Sequence, residues 1–156
     1  MIGTKFLEKE LKQLKGYLPQ IDTSNPQVSK VSVGWHLDHM LKTILHICKG
    51  LTSSDPSSYK KNFNALRMFC HTFNFIPRGK AQSPKYVLPP IEIKTEDILA
   101  QLAKAKTHLQ NLKGLDPNAN INHPFFKQLN LSQSKRFMQV HTNHHLKIIR
   151  DITKGT

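Results

Sequence analysis

Apolar residues recur along this chain mostly at three- and four-residue spacing, the period of helices that bury one side. The pattern predicts a first helix from about Thr4 to Leu18 that buries Phe6, Leu7, Leu11, Leu14 and Leu18 and is stopped by Pro19. A polar loop, QIDTSNPQVSK, leads to a second helix that starts near Ser29 or Ser32, either of which can cap it, and ends near Gly50. SSDP then reads as an N-cap followed by proline at the first helical position. That third helix is expected to carry Tyr59, Phe63, Leu66, Phe69, Cys70 and Phe73 before Pro77. The prolines of IPRGKAQSPKYVLPPIEIK forbid helix, and the stretch is long for a connector, so it is expected to wrap over the helices. Thr95 is placed to cap a fourth helix, EDILAQLAKAKTHLQNLK, with Gly114 at a left-handed C-terminal position. After LDPNANINHPFFKQLN, Ser132 is expected to cap a last helix running to Gly155. Only residues 86–93 resemble a strand, and their prolines argue against one. The class expected is all-α, a helical bundle.

Composition narrows this little. The 156 residues suit one domain, residues 1–156, and no stretch approaches the roughly 20 apolar residues needed to span a bilayer. The opening MIGTKFLEKELKQLKG is charged from Lys5 onward and lacks a signal-like run, and Cys48 and Cys70 form no CxxC pair, which together predict a cytoplasmic protein with reduced thiols. The net charge of +13 raises the question of nucleic acid. Its basic residues are spread over nearly every segment, however, and only Arg67, Arg78, Arg136 and Arg150 are arginines. The densest run, Lys5, Lys9, Lys12 and Lys15 with Glu8 among them, reads as the solvated face of a helix. A small-molecule substrate, drawn in by the positive field where it is anionic, is therefore the expected partner, with no nucleic acid and no membrane. A homodimer is the expected assembly if the long apolar helices pair.

Histidines carry the chemistry. In HTNHHLKII, His145 lies about 40° around the helix from His141 and one turn further on, on the stripe of Phe137, Ile148 and Ile152. His144 sits on the flank beside Val140. An i, i+4 pair lets two imidazoles meet one metal ion, and a third ligand must then come from a facing helix. In SVGWHLDHMLKTILHICKG, His36, His39 and His46 form a stripe with Thr43, apart from an aliphatic face of Leu37, Leu41, Ile44, Ile47 and Cys48. Spacing leaves open whether His39 or His36 completes the set. His46, His71 and His108 read as hydrogen-bonded core or boundary residues, and His123, before Pro124, as a local hydrogen-bonding residue.

With these residues in view, the sequence resembles the DinB-like (YfiT-type) superfamily of metalloproteins, and within it a bacterial branch catalogued as a domain of unknown function. SVGWHLDHMLKTI, FIPRGKAQSPK and NHPFFKQLNLSQSKRFMQVHTNHHLKII carry the resemblance. It implies a four-helix bundle with an extra short helix and a long Pro-rich connector. It also implies a divalent metal held by His39, His141 and His145, with His36 and His144 as neighbours that orient ligands or substrate. Three neutral imidazoles leave positions open for water or substrate. Nitrogen ligation suits zinc or nickel, with iron, manganese or cobalt also compatible. Characterised relatives in the superfamily include metal-dependent thiol transferases, and others resemble hydrolases. Many such transferases follow the last ligand with an Arg-Gly-Gln-like turn, where this chain has Leu146, Lys147 and Ile148. The competing class is a non-catalytic basic helical module that binds an anionic partner, its histidines purely structural.

Overall fold

The computed structural model describes residues 7–80 and 82–154. Helix α1 (Glu8–Gly16) buries Leu11 and Leu14 behind an acidic first turn, with Leu7 buried just ahead of it. The expected start at Thr4 and the burial of Phe6 lie outside the described residues. A single 3-10 turn, Leu18–Gln20, follows, so Leu18 falls beyond the helix and is only half-buried. Helix α2 (Val33–Thr52) starts at Ser32, whose hydroxyl accepts the Trp35 N–H at 3.3 Å. It is buried on most of its circumference because it packs against both α4 (Thr95–Gln110) and α5 (Leu131–Lys154).

The third helix departs from expectation. Asp55 caps and Pro56 begins only one 3-10 turn, Pro56–Ser58, and α3 (Ala65–Phe73) begins later, capped by Asn64. Long-range hydrogen bonds hold the residues between out of a helix. Lys60 N–H donates to Gln128 Oε1 at 2.7 Å, and Asn62 Nδ2 to the Gln128 carbonyl at 2.8 Å. The buried Arg67 guanidinium joins the Asn62 carbonyl (2.7 Å) to the Phe126 carbonyl (3.0 Å). Tyr59 and Phe63 thus precede the helix, and Leu66, Phe69 and Phe73 are exposed, Phe73 at 65%. Of the expected apolar face only Cys70 is buried.

The gripping partner is a hairpin where a loop was expected. Strands β1 (Asn120–His123) and β2 (Lys127–Asn130) pair antiparallel, Ile121 opposite Leu129, with Pro124 in the turn and Lys127 at φ 60°. Residues 86–93 form no strand; a 3-10 turn, Lys85–Val87, lies there instead. The chain is therefore mostly helical with a small two-stranded sheet, rather than wholly helical. The hairpin seats on α2 at Gly50, where a Cβ would come within 2.7 Å of Ile121 Cγ2.

Thr95 is the first residue of α4 and Lys94 the cap, with no side-chain bond, so the expected Thr95 cap is not made. Gly114 does adopt a left-handed φ of 80°, after irregular turns. Helix α5 is capped by Asn130 rather than Ser132. Asn130 Oδ1 accepts the Gln133 N–H (2.9 Å) and Gln133 Oε1 accepts the Asn130 N–H (3.1 Å), a reciprocal capping box. The expected end at Gly155 lies outside the described residues. Buried side chains from α1, α2, α4 and α5 share one core cluster. Among the described residues no helix is long and apolar enough to cross a membrane.

Candidate metal centre

On α2, successive residues turn by about 100°, which separates two buried surfaces. Asp38 faces α4, accepting from Gln101 Nε2 at 2.6 Å and pairing with Lys42 at 2.7 Å. His36, His39 and Thr43 lie on the opposite side, toward α5, and all three are buried. From α5, His141 and His145 project into the same seam, His145 buried and His141 partly accessible.

The three imidazoles converge tip to tip. His141 Nε2 lies 3.2 Å from His39 Nε2 and 3.2 Å from His145 Nε2. Donor atoms of His39, His141 and His145 all lie within 4.8 Å of one another, and the group could hold a metal ion. Ligands about 2.0–2.1 Å from a tetrahedral zinc stand about 3.3 Å apart, so this spacing fits.

Backbone and side chains behind the triad set its tautomers. His39 Nδ1–H donates to the Val87 carbonyl at 3.0 Å, which leaves the Nε2 lone pair aimed into the cluster. Val87 belongs to the Pro-rich connector, which does lie across α2; Lys42 Nζ donates to the neighbouring Leu88 carbonyl at 3.1 Å. His36 does not reach the cluster. Its Nδ1 lies 2.9 Å from His145 Nδ1, and its Nε2 lies 3.1 Å from Ser29 Oγ. When His145 Nε2 offers its lone pair, its Nδ1–H donates to His36, and His36 Nε2–H donates to Ser29. His36 thus stands behind His145, the position from which a second residue orients a metal ligand. His141 Nδ1 is buried without a hydrogen-bond partner among the described residues, and in the metal-free protein the ring's proton sits on Nε2, facing the lone pairs of His39 and His145.

Burial pushes these imidazoles toward their neutral form. It takes His36 down to about 4, aided by His39, and holds His141 and His145 well below the usual histidine range, with neighbouring imidazoles adding to the effect. His39 is lowered too, against the opposing pull of the Val87 carbonyl and Asp38. Neutral lone pairs can receive a cation without first shedding protons.

The triad forms one wall of a cavity of about 290 Å³. Other walls come from α2 (Thr43, His46, Ile47), α3 (Leu66, Cys70), the connector (Ile76 to Val87 in part), the hairpin (Ile121–Phe126) and Phe137 of α5. His144 lines the cavity beside the triad, its ring 5.0 Å from that of His145, and burial and Arg78 bring it down to about 4. His46 also lines it, stacked on Tyr86 at 4.2 Å. Both cysteines are free and buried; burial raises Cys70, a wall residue, and pushes Cys48 up to about 12, so neither is a ready thiolate. Among the described residues no fourth side chain joins the three histidines, and their cavity side stays open to a ligand.

Sequence reasoning passed over His123 as a local residue. It is local, since its Nδ1 accepts the Phe125 and Phe126 N–H groups at 3.2 Å each, yet it also lines the cavity. The HPFF motif marked the turn, but only the hairpin reveals which wall it forms. Comparison with protein-family models, with curated proteins and with solved structures finds no match to the chain.

Proposed function

We propose that this chain is a DinB-like metalloenzyme of four-helix-bundle type, with His39, His141 and His145 holding a divalent ion, zinc or nickel before other metals. Its reaction is the transfer or hydrolysis of a small-molecule substrate. The observation that carries the reading is the convergence of three Nε2 atoms at one end of a cavity, with no fourth protein ligand among the described residues. An ion bound there supplies Lewis-acid polarisation of an oxygen or sulfur nucleophile near neutral pH. The protein's own contribution is separate. Val87 and His36 hold two ligand rings in orientation, and the apolar walls limit water. His144 stands beside the triad where it meets whatever occupies the cavity.

Elemental mass spectrometry on untagged protein tests this reading, with X-ray absorption on the loaded sample. About one equivalent of metal with three imidazole nitrogens and an exchangeable light ligand is expected. No metal after incubation with zinc or nickel, or a sphere closed by protein ligands, overturns it.

A further inference from the structure

The cavity's walls specify more than a metal. Hydrocarbon and aromatic surfaces dominate them, including Ile47, Ile76, Ile121, Phe126 and Phe137, and among the described residues no carboxylate lines them. Polar groups are set among these apolar surfaces, six histidines together with Thr43, Lys80 and Asn122. Among them His123 is the most constrained. Its ring stacks on Phe126 (4.6 Å, 15°) and meets Phe137 edge-on at 4.4 Å. Two backbone N–H groups occupy Nδ1, so that atom is the acceptor, and the neutral ring's proton sits on Nε2. Burial, with His71 nearby, lowers His123 to about 4 and keeps the ring in that neutral form at pH 7. Its Nε2 has no hydrogen-bond partner among the described residues. Phe126 packs on one face of the ring and Nδ1 is engaged, so Nε2–H is the ring's one N–H left to meet a ligand in the cavity that His123 lines.

We propose that the cavity binds a compact, mainly apolar molecule carrying a hydrogen-bond-accepting oxygen, and that His123 Nε2–H donates to that oxygen. This rests on reading the cavity as the substrate site; the donor itself needs no metal. The turn built by Phe125 and Phe126 fixes the tautomer, so the donor is preorganised rather than recruited.

Two planar probes of nearly equal shape test it: acetophenone, with an acceptor oxygen, and α-methylstyrene, with a methylene in its place. Their dissociation constants are measured by NMR titration on wild type and His123→Asn, in metal-free and zinc-treated protein. Asparagine keeps an oxygen for the Phe125 and Phe126 N–H groups but loses the Nε2 donor. The acetophenone preference, taken as the ratio of the two constants, should fall about 2- to 12-fold in His123→Asn, the range of one ordinary hydrogen bond. An unchanged ratio with both probes bound overturns the proposal, as does failure of both probes to bind wild type. If His123→Asn does not fold, the wild-type imidazole 15N spectrum decides. Nε2–H of His123 must shift with acetophenone and not with α-methylstyrene, and equal responses overturn the assignment. Zinc uptake is read separately in the same samples. A protein that takes no zinc but shows the ratio change loses the metal reading and keeps this one.

Discussion

The two sides of α2 solve opposite problems. On one it presents Leu37, Leu41, Ile44 and Cys48, all fully buried, and each large side chain contributes about 1.5–3 kcal/mol by leaving water. Toward α5 it presents His36, His39 and Thr43, whose burial costs energy wherever a polar atom lacks a partner. Val87 and Ser29 meet that cost for His39 and His36, whereas across the seam the His141 Nδ1 of α5 stays without a partner among the described residues. The aliphatic side holds the helix in place, and the histidine side uses that rigidity to keep three like groups tip to tip.

The contrast can be broken from the histidine side first. A His39→Ala/His141→Ala double variant should bind less than about a tenth of the metal that wild type holds, because two of three ligands are gone. Elemental analysis checks this, with circular dichroism confirming that the helices persist.

Acid should do nearly as much to the metal-free protein. His36, His71, His123 and His144 each fall to about 4 when folded, against 6.5 for a free imidazole. The unfolded chain therefore takes up protons first, so stability is intact above pH 6.5 and is lost as pH falls toward 4. Urea midpoints between pH 7.5 and 4 should trace that decline.

Leu41→Ala, on the other side, should cost about 2–5 kcal/mol in urea unfolding at every pH in that range, and leave metal per folded molecule unchanged. The smallest effect sharpens the comparison. His36→Phe fills the same space but removes the acceptor behind His145, and should weaken metal affinity about 10–100-fold without abolishing it, read by competition with a chelator.

Much of the helical layout was legible because it is local. Ser32 caps α2 and bonds a neighbour three residues away, and the histidine stripes follow from helical period alone. The site was half legible for the same reason: period places His39, His141 and His145 on inward faces, but choosing His39 over His36 requires the depth at which α2 meets α5. The middle of the chain was misread where distant partners decide. Asp55 and Pro56 do start a helical turn, but Lys60, Asn62 and Arg67 find their partners at Phe126 and Gln128, more than 55 residues away. Periodicity also cannot tell an inward apolar face from an outward one, and α3 turns its phenylalanines to solvent. The hairpin strands have four residues each around HPFF, too short for alternation to stand out against a loop.

The bond from His39 to Val87 makes the connector a party to whatever the histidines hold. A ligand that favours the Nδ1–H form of His39 strengthens that bond, and by reciprocity anything that steadies the segment around Val87 and Leu88 tightens ligand binding by the same factor. Amide exchange along this proline-rich strip then becomes a gauge of occupancy. Changes there, far from any histidine in sequence, tune affinity without touching a ligand atom.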